Sequence, residues 1–203
     1  MIADALKAMP LVAILRGIKP VEVAPIAGVL YEHGLRCIEV PLNSPSPFDS
    51  IRELARSLPD DCVVGAGTVI NADDVVRVQD AGGKLIVMPN TSEDVIKASL
   101  AADMQIAPGF ATATEAFRAV QLGATYLKLF PASTYGSGHL RALLAVLPKE
   151  TRILAVGGIG PQEFAEWREA GVVGFGIGSE LYHAGDSVAD VREKVRAICA
   201  EIK

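Results

Sequence analysis

The sequence predicts a (β/α)8 barrel, an α/β fold in which eight parallel strands alternate with eight helices. Three observations carry this prediction. Short apolar runs recur along the chain, their first residues lie 21 to 26 positions apart, and the stretches between them have the boundary signals of helices. At 203 residues the chain has room for one well-formed core, so we expect a single barrel domain over residues 1–203.

The expected strands are rich in Val, Ile, Leu and Ala, and several are apolar without alternation. That pattern is typical of parallel strands that are buried on both faces. In chain order the runs are Leu11–Leu15, Cys37–Pro41, Val63–Val69, Lys84–Pro89, Gln105–Gly109, Tyr126–Pro131, Arg152–Gly157 and Val173–Ser179.

The stretches between the strands begin and end like helices. Ser92 precedes two acidic residues, and either Thr112 or Thr114 precedes Glu115, which indicates N-caps with acids in the first turn. Prolines near helix starts and glycines near helix ends mark the other boundaries. They are Pro20, Pro47 and Pro161, and Gly34, Gly82, Gly123 and Gly171.

An open, doubly wound sheet is the alternative to the barrel. It usually has fewer strands at this length, and its dinucleotide fingerprint follows the first strand. Residues Arg16–Pro20 follow the first expected strand here and contain no such glycine pattern. The barrel is therefore favoured.

Composition excludes several classes of partner. A net charge of −5 without a basic block argues against nucleic acid and against an anionic membrane surface. No apolar run approaches the roughly 20 residues of a membrane span. Three widely spaced cysteines, Cys37, Cys62 and Cys199, form neither a disulfide framework nor a metal pattern, so we expect a reducing cytoplasm. The three histidines share no ligand spacing, and we expect no metal.

Lys128 is the most informative polar residue, because it lies inside the apolar run Tyr126–Pro131. A charge there is costly unless it is paired or functional. One interpretation is a side chain that lines the wall and extends its amine to solvent. The other is a desolvated amine, crowded by Arg16, whose pKa falls until it can attack a ketone.

Glu39 has a similar setting in the second strand. It is interpreted either as a structural partner of Arg16 or as a general acid/base beside a nucleophilic amine. Two glycine turns end the last two strands, at Gly157-Gly158 and at Gly178-Ser179. Bare amides at these strand ends are a common phosphate site in barrels, although such glycines also serve tight turns.

Six segments in the same order closely resemble the 2-keto-3-deoxy-6-phosphogalactonate aldolases, within the class I family that includes the 6-phosphogluconate and 4-hydroxy-2-oxoglutarate enzymes. The resemblance covers nearly the whole chain. The segments are Ala13–Gly17, Glu39–Pro45, Gly65–Val69, Pro108–Thr112, Lys128–Pro131 and Ala155–Gly158.

The resemblance implies a reaction and a set of roles. Lys128 forms a Schiff base with the C2 ketone of a phosphorylated keto acid, and Glu39 moves the protons. The substrate carboxylate is bound by Arg16 and Thr68, and the phosphate by Gly157, Gly158, Gly178 and Ser179. The family implies a homotrimer and needs no cofactor or metal.

The resemblance also bears on the substrate epimer. Enzymes for the gluconate epimer usually have threonine at the position of Val156 and an arginine near that of Asn43. Valine cannot meet a sugar hydroxyl, so the galactonate epimer is favoured, and the gluconate and 4-hydroxy-2-oxoglutarate activities are the alternative. Two further rivals are a sugar-phosphate isomerase or epimerase and a non-catalytic sugar-phosphate-binding protein.

Overall fold

The computed structural model describes residues 1–202, which contain nine parallel strands, nine α-helices and one short 3₁₀ helix. The strands are β1 Leu11–Ile14, β2 Cys37–Pro41, β3 Val63–Gly67, β4 Leu85–Val87, β5 Gln105–Ala107, β6 Gly109–Phe110, β7 Tyr126–Leu129, β8 Arg152–Val156 and β9 Gly174–Ile177. The helices are α1 Ile2–Ala8, α2 Pro20–Glu32, α3 Pro47–Ser57, α4 Asp73–Asp80, α5 Glu93–Ala101, α6 Ala113–Gln121, α7 Ala132–Leu144, α8 Phe164–Ala170 and α9 Val188–Glu201, with the 3₁₀ helix at Pro161–Glu163.

The strands form the barrel that the spacing predicts. Their order is β5-β4-β3-β2-β1-β9-β8-β7-β6, and all the pairings are parallel. Strands β5 and β6 are the two halves of the fifth expected run, separated by Pro108. The first half pairs with β4 and the second with β7, so this one interrupted strand joins the two edges of the sheet. The (β/α)8 prediction is confirmed.

Two apolar cores follow from the alternation of side chains along each strand. The larger core packs outward-facing residues such as Ile38, Val64 and Phe175 against the helices. The smaller core fills the barrel with inward-facing residues such as Val12, Val63 and Leu154. Lys128 and Glu39 alternate with outward-facing neighbours and so point into the barrel, where a buried charge needs a chemical reason.

Helix α1 is the one helix that the sequence analysis did not predict. Its residues Ile2, Ala5 and Leu6 are buried in the inner core, against residues at the starts of several strands. The helix therefore closes the amino-terminal end of the barrel. The spacing of these three residues has a helical period, which is the sequence signal that indicates this helix.

The helix boundaries of the structure agree with those predicted, and they decide between two candidate caps of α6. Thr112, rather than Thr114, caps α6: its hydroxyl accepts from the amide of Glu115, whose carboxylate accepts from the amide of Thr112. Ser92 occupies the N-cap of α5, but its side chain makes no capping hydrogen bond. The expected prolines begin their helices, and the four expected glycines adopt positive φ at helix ends. Within residues 1–202, no helix is both long and apolar enough to cross a membrane.

Candidate active site

A cavity of about 400 Å³ opens at the carboxyl-terminal ends of β1, β7, β8 and β9. This is the end of a parallel barrel at which loops converge and function is usually located. Its wall combines apolar side chains, chiefly Ile14, Phe130 and Val156, with a few polar groups. Those polar groups include Arg16, Lys128 and Ser179, and the backbone of Gly157, Gly158 and Gly178 lies beside them.

Lys128 lies at the base of this cavity and is only 5% exposed. Its Nζ lies 4.7 Å from the centre of the Phe130 ring. Burial lowers the pKa of the amine, Glu39 opposes this effect, and the positive charge of Arg16 adds to it. The interpretation of Lys128 as a side chain that reaches solvent is therefore wrong, and the lowered pKa favours the neutral, nucleophilic form of its amine.

Glu39 is 2% exposed and points into the same part of the barrel. Burial raises the pKa of its carboxyl group to about 7, against the opposing effects of Lys128 and Arg16. Within the described chain, its Oε2 has no hydrogen-bond partner and Glu39 forms no ion pair with Arg16. The structural pairing considered from the sequence is therefore not formed, and an acid with a pKa near 7 is available for proton transfer.

Arg16 lies at the rim of the cavity, two residues after the end of β1. Its guanidinium donates to Oδ1 of Asn43 and, over 3.4 Å, to Oγ1 of Thr68. These two partners follow β2 and β3, so three successive strand ends hold one cation in place. Thr68 has φ +57°, a conformation uncommon outside glycine that places its hydroxyl beside Arg16.

The two glycine turns line the cavity side by side, after the ends of the adjacent strands β8 and β9. Gly157 and Gly158 have φ of +96° and +71°, which few residues other than glycine adopt readily. A Cβ on Gly158 would lie 2.3 Å from Oγ of Ser133. The amides of Gly157, Gly158, Gly178 and Ser179 donate no hydrogen bond inside residues 1–202. Such a group of unpaired donors can accept an anion.

The structure thus brings most of the predicted site residues to one cavity. Lys128, Arg16, Gly157, Gly158, Gly178 and Ser179 line it. Glu39 and Thr68 do not line it: the first lies deeper, beside Lys128, and the second reaches it through Arg16. The sequence relates Asn43 only to the choice of substrate epimer, and its hydrogen bond to Arg16 becomes apparent only in the folded chain.

Comparison with known proteins agrees with this geometry. The family model "KDPG and KHG aldolase" matches residues 2–197. The "Probable 2-dehydro-3-deoxy-6-phosphogalactonate aldolase" of Rhizobium meliloti (strain 1021) is 45% identical over 94% of this chain and 90% of its own. The 2-dehydro-3-deoxy-6-phosphogalactonate aldolase of Escherichia coli (strain K12) is 42% identical over 93% and 92%.

A solved structure described as native KDPGal has a TM-score of 0.93 at 41% identity, and the match covers 95% of this chain and 94% of that one. Its similarity extends over the whole barrel, and the family model covers all the residues that form the cavity. The chain belongs to the KDPG and KHG aldolase family.

Proposed function

We propose that the protein is a class I aldolase that cleaves 2-dehydro-3-deoxy-6-phosphogalactonate to pyruvate and glyceraldehyde 3-phosphate. One observation carries the proposal: a buried amine of lowered pKa lies beside a buried carboxyl group, at a cavity that is also lined by a set of unpaired amides. The names of the two similar proteins support the substrate.

Lys128 is the nucleophile in this proposal. Its neutral amine adds to the C2 ketone, and loss of water gives an iminium ion that withdraws electrons from C3. When the C4 hydroxyl loses its proton, the C3–C4 bonding electrons move into the iminium and form an enamine, and the C4 carbon leaves as an aldehyde. Protonation at C3 and hydrolysis then release pyruvate and the free amine.

Glu39 moves the protons of these steps. In its acid form it assists departure of the carbinolamine hydroxyl as water, and as a carboxylate it takes the C4 hydroxyl proton through a water molecule. A pKa near 7 allows both forms to exist at neutral pH. The unpartnered Oε2 supports this role because it has no structural bond to lose.

The two ends of the substrate are bound by groups of different kinds. Arg16 and Thr68 bind the carboxylate, and Asn43 holds the guanidinium in place. Gly157, Gly158, Gly178 and Ser179 bind the phosphate. These contacts fix the reacting bond over Lys128, which is how binding energy remote from the reaction assists it.

Trapping of the Schiff base tests the proposal directly. Borohydride in the presence of pyruvate should add a pyruvate-sized mass to Lys128 of the parent, and to the matched surface variant Lys149→Ala. Lys128→Ala should show neither adduct nor turnover, and Glu39→Gln should lose about 10²- to 10⁴-fold in rate, the usual share of a general acid/base. An unmodified Lys128 in the parent would instead favour an isomerase, an epimerase or a binding protein.

We also propose a homotrimer in the cytoplasm that acts on a phosphorylated keto acid without cofactor or metal. Family membership supports the assembly and the metal-free reaction. The cytoplasmic location rests on the cysteines: Cys37 and Cys62 are buried, and both are free thiols.

A further inference from the structure

The carboxyl group of Glu39 occupies the space in which residue 67 would have a side chain. A Cβ built on Gly67 would lie 1.7 Å from Oε2, 2.2 Å from Cδ and 2.4 Å from Oε1 of Glu39. Gly67 is the last residue of β3, and Glu39 is in the neighbouring strand β2, paired with Gly65. The Glu39 side chain therefore extends along β3 until its carboxyl group covers the backbone of Gly67.

Gly67 is needed for its empty space, since its φ is not in the left-handed region. Other glycines differ in what an added side chain would meet. A Cβ on Gly65 would lie 2.0 Å from the carbonyl oxygen of Leu85, which is fixed backbone, whereas Gly28 in α2 has no atom within 4 Å of the position of a Cβ. At Gly67 the atoms met are the far end of a flexible side chain, so an added methyl group should move the carboxyl group and leave the strands in place.

Three ionisable groups lie around the carboxyl group, two from other strands and one from its own. Lys128 on β7 and Arg16 after β1 act on its charge, and Cys37 lies one inward position earlier on β2. A carboxyl group displaced by even one ångström changes its relation to the amine, and proton transfer depends steeply on that geometry.

We propose that Gly67 is a positioning residue that holds the Glu39 carboxyl group where protons are transferred, an inference that rests on the proposed aldolase function. Gly67 acts through the carboxyl group and not on the substrate itself. It has no side chain, and the carboxyl group occupies the space that a side chain would fill.

Substitution of Gly67 by alanine tests this role. Gly67→Ala should lower kcat about 100-fold, the lower limit of a general acid/base contribution, and leave KM within about threefold. In the Glu39→Gln background the same change should have no further effect on kcat, because the group that it displaces is already inactive. Gly28→Ala is the matched control and should keep parental kinetics.

Two kinetic results would overturn the proposal. One is a parental kcat in Gly67→Ala. The other is a double variant, Gly67→Ala with Glu39→Gln, whose losses multiply as they would for independent structural damage.

Folding is separated from positioning by a second pair of variants. If Gly67→Ala does not fold, Gly67→Ala with Glu39→Ala should, because removal of the carboxyl group leaves room for the methyl group. A double variant that also fails to fold would make Gly67 a structural residue and contradict the inference.

The trapping experiment distinguishes this inference from the function on which it rests. A parent that forms no pyruvate adduct on Lys128 defeats the aldolase proposal itself. A parent that forms the adduct, together with a fully active Gly67→Ala, defeats only the positioning role.

Discussion

At the scale of single residues, the site is defined by two ionisable groups whose pKa values move toward each other. Burial lowers the pKa of the Lys128 amine and raises that of the Glu39 carboxyl group. These shifts favour the neutral amine and the protonated carboxyl group, the two forms with which the proposed Schiff-base cycle begins. Burial of these two groups lowers the stability of the fold, and this loss can be measured as a free energy of unfolding.

Glu39→Gln should stabilise the protein increasingly as pH rises. The folded-state pKa of Glu39 is about 7, against an ordinary value of 4.5, so the folded chain binds the proton more tightly than the unfolded one. The stability due to this proton is complete below pH 4.5 and is lost as pH rises through about 7, for a total of about 3 kcal/mol. Urea unfolding at several pH values should show that the free energy of unfolding of the variant rises relative to that of the parent over this range.

Glu150→Gln is the control for that series, because Glu150 is exposed and its neutralisation should leave the pH dependence of stability parallel to that of the parent. A constant difference between Glu39→Gln and the parent at all pH values would mean that burial does not hold the carboxyl group neutral.

Val156→Thr should weaken the preference for the galactonate epimer. Val156 lines the cavity and offers only methyl groups, whereas threonine has the same shape and adds one hydroxyl. A neutral hydrogen bond contributes about 0.5–1.5 kcal/mol, so the ratio of kcat/KM for the two epimers should change by about 2- to 10-fold. Pyruvate release from each phosphorylated epimer measures the ratio.

Val156→Ala, which removes methyl groups without adding a hydroxyl, should change both rates together. A clear preference of the parent for the gluconate epimer would refute the assignment made from Val156.

At the scale of elements, the N-terminus of helix α6 had two candidate caps in the sequence, Thr112 and Thr114. The carboxylate of Glu115 accepts from the amides of Ala111 and Thr112, and the Thr112 hydroxyl accepts from the amide of Glu115. Partial burial raises the pKa of the Glu115 carboxyl group, but hydrogen bonds from the Ala111 and Thr112 amides and from the Thr112 hydroxyl together hold it below its ordinary value. Thr114 lies inside the helix and is exposed.

Thr112→Ala should therefore cost about 1 kcal/mol of unfolding free energy, the usual effect of removing an N-cap. Thr114→Ala is the matched control, and it should leave stability unchanged or raise it slightly, since alanine favours a helix interior. Equal losses in the two variants, measured by urea unfolding, would show that the capping box contributes nothing.

The elements also show where sequence reasoning works. Parallel strands buried on both faces must be apolar, so all eight runs could be located, and the regular spacing then predicted the barrel. The interruption at Pro108 could have been expected, because proline donates no ladder hydrogen bond. The role of Gly67 could not, because the space beside a glycine is defined by other strands.

At the scale of the whole molecule, the proposed homotrimer can be tested by its mass. Sedimentation equilibrium at several protein concentrations should give three times the mass of one chain. A stable mass of one chain under the conditions of the activity assay would contradict the trimer without affecting the chemistry proposed for Lys128.

The position of helix α1 determines the order in which the products leave the proposed active site. Because α1 fills the amino-terminal end of the barrel, the base of the cavity where Lys128 lies is closed. Substrate and products must therefore pass the mouth beside Arg16 and the glycine turns. For the proposed aldolase, the cleaved aldehyde then lies between the bound pyruvate and solvent. It must leave first, and in the synthetic direction it must arrive last. An aldehyde that binds before pyruvate would block access to Lys128. High aldehyde concentrations should therefore slow synthesis by competing with pyruvate.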